Sequence, residues 1–270
     1  MNRNEQLAGI RLKLARAWQQ IDALKPDIKA FIDTEPYLPR INFRPQTHEL
    51  TVSVEVQRAP DPMWGVRIGE IVHNFRSALD HVVWELVILS TRHAPARGSK
   101  NQFPIFETAA GFDGRGLSQF LRNVRTDAVD LIRSEQPFAT GEGERSPLWH
   151  LKELSDIDKH RTLHITGAMV EAFNFVFPAL KHDAVVHREP ARGPGPIQQD
   201  SILGRAYFPG VSVWPFADDK IQCELRVDVA FDHGIPTSGT WLVFATLADA
   251  GNRTERVLRK IAEVIFDVEL

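Results

Sequence analysis

Apolar residues recur at helical spacing in two long segments near the amino terminus. Over residues 63–90 the steps alternate between four and three, which predicts one helix with a single apolar face. That face is formed by Ile68, Val72, Phe75, Leu79, Val82, Leu86 and Leu89. A similar stripe over residues 4–34 predicts a preceding long helix, in which Pro26 should disturb one turn.

Strand-like alternation of apolar and polar residues separates these two helices. Residues 40–44 and 49–57 flank a turn over 45–48, so we expect a β-hairpin within residues 37–58. After His164 the chain becomes rich in β-branched and aromatic residues, which favour strands. The predicted strands are 165–177, 184–187, 202–209, 221–231 and 240–246.

Further helices are predicted at 116–124, 127–134, 147–161 and 252–266. Ser146 is a suitable N-cap for the third of these, with Pro147 at its first position. The order of elements predicts an α+β fold, in which a bundle of long helices with an inserted hairpin precedes a mostly antiparallel β layer and a C-terminal helix. We place a boundary between a helical part, residues 1–163, and a β-rich part, residues 164–270, although both can belong to one compact domain.

A group of polar residues interrupts the half of the second helix that lies opposite its apolar face. The group comprises His73, Asn74, Arg76, Ser77, Asp80 and His81. Apolar residues bracket it on the same side, with Val66 before it and Trp84 after it. This bracketing predicts partial burial, and buried polar groups require hydrogen-bond partners. The group is therefore either a structural network with neighbouring loops and the helix after Ser146, or a functional site.

Arg76 and His81 are suited to phosphodiester chemistry on RNA without a metal ion. A neutral histidine can accept the proton of a ribose 2′-hydroxyl, because its pKa lies near working pH. An arginine can hold the phosphate in a two-pronged contact and stabilise its developing charge. Five positions apart, the two side chains diverge by roughly 140° around the helix and would flank a substrate. Asp80, four residues after Arg76, can orient the guanidinium.

The segment Arg76-Ser77-Ala78-Leu79-Asp80-His81, with Asn74, resembles the R-x4–6-H motif of the HEPN superfamily. Members with this motif are helical, often dimeric ribonucleases of toxin–antitoxin and phage-defence systems. The resemblance covers at most residues 1–90 and the helices up to Arg161. It implies a metal-independent endoribonuclease that acts on RNA as a homodimer, without a cofactor, and that uses Arg76, His81, Asn74 and Asp80.

A second polar group lies around the end of the predicted 147–161 helix. We expect Asp158, His160 and Arg161 to support the first group, together with His73 and Ser77, because each group can supply partners for the other.

The sequence is also consistent with two other functions. His160 and His164 are four residues apart, the spacing with which two imidazoles share a metal ion, and Glu153 lies on the same side. A metal-dependent hydrolase would use these residues with His73 and His81. The other alternative is a non-enzymatic protein that binds a ligand or another protein and whose polar group is structural.

Composition narrows the classes of protein. The formal net charge of −3 is unlike that of proteins that coat nucleic acids non-specifically. Cys223 is the single cysteine, which excludes an intramolecular disulfide and a cysteine-rich zinc site. The amino terminus lacks the apolar segment of a secretory signal, and no apolar run approaches the ~20 residues of a membrane span. We therefore expect a cytoplasmic protein with no membrane partner.

Overall fold

The computed structural model describes residues 3–169, 175–176, 197–208, 222–223, 227–232 and 241–270. It confirms the α+β class, with long helices, a hairpin, antiparallel strand pairs and a C-terminal helix. The chain divides into two compact units. The first contains Met1–Leu24, Gly65–Leu163 and Phe244–Leu270, and the second contains Lys25–Trp64 and His164–Val243.

Two antiparallel helices form the framework of the first unit. Helix α1 spans Arg3–Ile32 and continues through Pro26, and helix α2 spans Met63–Thr91, both close to the predicted bounds. The apolar stripe of α2 is buried, with Phe75 and Leu79 fully enclosed. Polar side chains also connect the two helices: Asn74 of α2 donates to the side-chain oxygen of Gln20 in α1 at 2.8 Å.

Shorter helices connect α2 to the end of the first unit. Their bounds are α3 at Ala109–Gly111, which continues as a π-helix over Phe112–Phe120, α4 at Thr126–Ser134, α5 at Pro137–Thr140, a 3₁₀ turn at Gly143–Arg145, and α6 at Pro147–Asp158. Ser146 occupies the N-cap position of α6, but its hydroxyl makes no capping bond and is buried. Helix α6 ends three residues before the predicted Arg161.

The last helix begins earlier than its sequence suggested. Helix α7 spans Val243–Ile261 and is followed by a π-helical turn over Ala262–Phe266. The prediction of a strand at 240–246 is therefore wrong from Val243 onward. Val243 and Leu247 are fully buried and extend the stripe of Ala250 and Val257, so helical packing overrides their strand propensity.

The second unit is built from antiparallel strands. Strand β1 (Tyr37–Arg44) pairs with β2 (Glu49–Val56) across the predicted turn, with Tyr37 opposite Val56 and Arg44 opposite Glu49. Strand β2 also pairs with β5 (Ile202–Tyr207), so the hairpin and a late strand share one three-stranded sheet. The inward positions Leu50, Val52 and Val54 are buried.

Two further strand pairs complete the described part of this unit. They are β3 (Ile165–Met169) with β7 (Val227–Phe231), and β4 (Phe175–Val176) with β6 (Gln222–Cys223). The predicted strand 184–187 lies outside the described residues. In the β3–β7 pair, Gly167 faces the Tyr37 ring, where a Cβ atom would approach the hydroxyl oxygen to 2.5 Å. No helix in the described ranges is long and apolar enough to cross a membrane.

Candidate anion-binding cavity

The segment after α2, residues 101–106, has no regular secondary structure and is held by side chains instead. Arg76 Nη2 donates to the Phe103 carbonyl at 2.6 Å, and the Phe103 N–H donates to Asp80 Oδ1 at 2.9 Å. Arg76 and Asp80 are also paired with each other, at 3.0 Å. The i,i+4 pair therefore supplies both partners for the backbone of one buried residue.

Gln136 holds the other end of this segment. Its side chain is fully buried, accepts from the Phe106 N–H at 3.0 Å and donates to the Pro104 carbonyl at 2.9 Å. Phe103, Pro104 and Ile105 are buried, so this segment forms an apolar plug. The plug forms one wall of a cavity of about 480 Å³.

We call this space the Arg76 cavity. Its wall combines four cations, two carboxylates, three phenylalanines and several smaller groups. They are Arg76, Arg115, Lys152, Lys159, Glu107, Asp156, Phe103, Phe106, Phe120, Gln102, Ile105, Thr108 and Ser155. All of them belong to the first compact unit.

Two carboxylates and two lysines on α6 and at its C-cap form a ladder along the cavity. Lys152 contacts Glu153 at 2.6 Å and Asp156 at 3.2 Å, and Lys159 contacts Asp156 at 3.0 Å. Burial alone would lower the pKa of Lys152, but the hydrogen bond and charge of Glu153, with Asp156, raise it overall. Burial raises the pKa of Asp156, and Lys159 with Lys152 outweighs that effect and lowers it. Lys152 is therefore cationic and Asp156 anionic at neutral pH.

An aromatic pair forms the side of the cavity nearest the π-helix. Phe106 and Phe120 are stacked, with ring centroids 6.0 Å apart and planes at 27°. The guanidinium of Arg115 lies over the Phe120 ring, 5.0 Å from its centroid. Arg115 itself is exposed on the π-helix. Such π-helical turns are found frequently at functional sites.

The carboxylate of Glu107 is held in place by a buried tryptophan. Trp149, which is almost fully buried, donates its indole N–H to Glu107 Oε1 at 2.6 Å. This bond fixes the position of an otherwise exposed acidic side chain at the cavity wall.

The opposite edge of α2 faces α1 rather than the cavity. Lys13 donates to the Ser77 hydroxyl at 2.6 Å. One turn further on, the His81 ring packs on Gly9, where a Cβ atom would lie 2.6 Å from the ring carbon Cε1. His81 Nε2 is 3.5 Å from Glu85 Oε1, too long for a strong hydrogen bond.

Burial perturbs both members of the His81–Glu85 pair. It lowers the pKa of His81, with the charge of Lys13 adding to the effect. It also raises the pKa of Glu85, whose side chain is only 6% exposed. His81 Nδ1 and Glu85 Oε2 are buried without a hydrogen-bond partner in the described structure. His81 is therefore predominantly neutral at pH 7.

The structure separates the residues that the sequence analysis grouped together. Arg76 and Asp80 face the 101–106 segment, whereas Ser77 and His81 face α1. Asn74 donates a hydrogen bond to Gln20, which is also on α1. The expected partial burial holds for these five residues, while His73 and the bracketing Val66 and Trp84 are exposed.

Of the second polar group, Asp158 lies against α2, near His73. A Cβ atom on Gly69 of α2 would lie 2.1 Å from Asp158 Oδ1, so the Asp158 carboxylate packs directly on that helix. Burial raises the pKa of Asp158, and the charge of His73 acts in the opposite direction. His160 and Arg161 follow the end of α6 and are exposed.

The structure does not have the helical spacing of His160 and His164 that the metal-dependent alternative requires. Because α6 ends at Asp158, His160 and His164 are not on a common helix, and Glu153 pairs with Lys152 instead. Within the residues that the structure describes, no group of three or more histidine, cysteine, aspartate and glutamate side chains could hold a metal ion.

Several cavity residues were missed by the sequence analysis. Lys152, Asp156 and Lys159 recur at i, i+4 and i+7 on one helical face, which is a readable signal of a charged stripe. Arg115 and Glu107 carry no periodic signal, because they lie in short irregular elements. Comparison with known proteins adds no assignment: no protein-family model matches this chain, and no match was found among curated proteins or solved structures.

Proposed function

We propose that this protein binds a phosphate-bearing ligand in the Arg76 cavity. The observation that carries the proposal is the wall itself, in which four cations and three phenylalanines surround about 480 Å³. Spaces of roughly 300–1,000 Å³ with a few convergent polar groups are typical of ligand sites. The ligand class follows from the excess of cations over carboxylates in the wall.

Arg76 is the most enclosed of these cations, with 12% of its side chain exposed. Its Nη2 atom serves Phe103 and Asp80, which fixes the plane of the guanidinium. Nε and Nη1 have no hydrogen bond to any described residue and remain for an oxyanion. A cation held in place by other bonds loses little freedom when it binds a phosphate.

Removal of two lysine charges, one on α6 and one at its C-cap, tests this proposal. We expect Lys152→Gln/Lys159→Gln to weaken the binding of inorganic phosphate and of oligouridylate at least tenfold, because each lysine contributes a charge-assisted contact. Lys29→Gln is the matched control, since Lys29 is an exposed lysine paired with Asp33. Isothermal titration calorimetry measures the affinities. Absence of binding by the wild type, or equal binding by the double variant, would overturn the proposal.

A second candidate is metal-independent endoribonuclease activity, for which Arg76 and His81 supply the chemistry. It is favoured by the lowered pKa of His81, since a neutral imidazole can accept the 2′-hydroxyl proton. It requires RNA to reach Arg76 and His81 from the two edges of α2, because Arg76 lies in the cavity wall and His81 faces α1. In this candidate the protein is a cytoplasmic homodimer of the toxin or phage-defence type, and RNA is its substrate. Trp84 and Val66, each 41% exposed on the outward side of α2, would lie in the dimer interface.

The nuclease candidate requires RNA cleavage in the presence of EDTA, with 2′,3′-cyclic phosphate ends. We expect His81→Ala and Arg76→Lys to abolish cleavage, and the exposed His93→Ala to leave it intact. Light scattering after gel filtration should give the mass of a dimer. Metal-dependent cleavage, or activity that survives both substitutions, excludes this mechanism without affecting the ligand-binding proposal.

A further inference from the structure

We infer that the Arg76 cavity contains two separate anion subsites, so that its ligand carries two phosphate groups. This inference rests on the proposed function and extends it, because it identifies the ligand by its number of anionic groups. The first subsite is the α6 side of the cavity, formed by Arg76, Lys152 and Lys159. The second is formed by Arg115 on the π-helix.

The two subsites differ in how their charge is balanced. Arg76 is paired with Asp80, and Lys152 and Lys159 are both paired with Asp156. Within the described residues Arg115 forms no ion pair with a carboxylate, and its guanidinium lies over the ring of Phe120. A cation in a cavity wall that has no carboxylate partner interacts more favourably with a bound anion than a cation that is already in an ion pair.

The contact with Phe120 leaves Arg115 available for that role. Its guanidinium carbon lies over the aromatic ring, 5.0 Å from the centroid. The N–H groups of an arginine form a planar fork that matches the spacing of two phosphate oxygens. A cation–π contact uses none of these hydrogen-bond donors, so the whole fork remains for an anion.

The aromatic pair associates Arg115 with a different part of the wall from Arg76. Phe120 stacks on Phe106, which lies at the Gln136 end of the 101–106 segment. Arg76 instead binds Phe103, three residues earlier in that segment. Both arginines line the Arg76 cavity, so both guanidinium groups can engage one small ligand at different points.

A comparison of ligands with one and two phosphates tests this inference by calorimetry. The probes are inorganic phosphate, pyrophosphate and a 5′-phosphorylated uridine dinucleotide, which has one terminal and one internal phosphate. The wild type should bind at least one of the two-phosphate probes tenfold or more tightly than phosphate. A larger gain for pyrophosphate identifies a diphosphate ligand, and a larger gain for the dinucleotide identifies an RNA backbone.

Variants separate a second subsite from a general effect of charge. Arg115→Gln and Arg115→Lys should both reduce the ratio of the affinities towards one, because lysine keeps the charge but lacks the fork. Lys159→Gln should weaken all probes and preserve the ratio, while Arg122→Gln, an exposed arginine outside the wall, should change neither. An unchanged ratio in Arg115→Gln, or equal losses in Arg115→Gln and Lys159→Gln, would overturn the inference. Phosphate binding without any gain for two-phosphate probes would leave the proposed function standing and reject the second subsite, whereas no binding at all would reject both.

Discussion

At the scale of single residues, the contacts of Arg76 show what a sequence motif can predict and what it cannot. Its distance from Asp80 along the helix predicts their ion pair, and the pair is present at 3.0 Å. The partner that decides its position, the Phe103 carbonyl, lies 27 residues away in a segment without periodicity. Sequence spacing cannot specify such a contact, because only the folded path of residues 101–106 brings that carbonyl to α2.

The buried amide of Gln136 should be a strong determinant of stability. Gln136→Leu removes the partners of the Phe106 N–H and the Pro104 carbonyl. We expect the free energy of unfolding to fall by roughly 2–4 kcal/mol, because buried backbone groups would lose their hydrogen bonds. Urea denaturation measures this change. Gln119→Leu, at an exposed position, is the control and should stay within about 0.5 kcal/mol of the wild type.

The buried carboxyl of Glu85 should give stability a characteristic pH dependence. Its pKa in the folded state is raised above the ordinary 4.5 by burial, so the folded protein retains a proton that the unfolded chain releases. This contribution is fully present below pH 4.5 and is lost as the pH rises through the raised pKa.

We therefore expect Glu85→Gln to gain stability relative to the wild type as the pH increases from 4 to 7. Urea unfolding across this range measures the difference between the two proteins. Glu263→Gln, at an exposed position, is the control for the removal of one carboxylate. A constant or declining difference for Glu85→Gln would contradict a raised pKa of the Glu85 carboxyl.

At the scale of elements, periodicity predicts the long helices well and fails where propensity and packing conflict. Helices α1 and α2 were found within a few residues of their predicted bounds, because their apolar stripes extend over many turns. The start of α7 was misread as a strand from its β-branched and aromatic residues. Its actual conformation is decided by burial of Val243 and Leu247 in the helical stripe.

Close packing of α7 against α1 and α2 depends on Gly251. A Cβ atom there would lie 2.7 Å from both Phe75 and Trp18. We expect Gly251→Ala to lower the free energy of unfolding by about 1–3 kcal/mol, despite the better helix propensity of alanine. Gly114→Ala is the matched control, because no atom lies within 4 Å of its added Cβ and alanine should be neutral or stabilising. Thermal and urea denaturation distinguish the two variants.

At the scale of the whole molecule, sequence reasoning identified the class of the fold but only part of the candidate site. The change from helical to strand-like patterns near His164 was sufficient to predict α+β. The cavity, in contrast, is assembled from α2, residues 102–108, the π-helix and α6, which are distant in the chain. Only Arg76 among its four cations belonged to the motif that the sequence singled out. The other three depend on tertiary structure for their proximity.

Ligand binding by this assembly should depend on ionic strength. We expect the affinity for pyrophosphate to decrease steadily between 50 and 300 mM salt (roughly a fewfold change), because exposed cations such as Lys159 and Arg115 are screened. Titrations at several salt concentrations measure the slope. An affinity independent of salt would indicate recognition by uncharged contacts.

The most direct test of the central claim is a crystal structure of the protein grown with pyrophosphate. We predict that electron density for the ligand fills the Arg76 cavity, with phosphate oxygens 2.7–3.1 Å from nitrogen atoms of Arg76 and Lys152. The same crystals should show the second phosphate at the guanidinium edge of Arg115. An Arg76 cavity that contains only water at a saturating concentration of pyrophosphate would contradict the account.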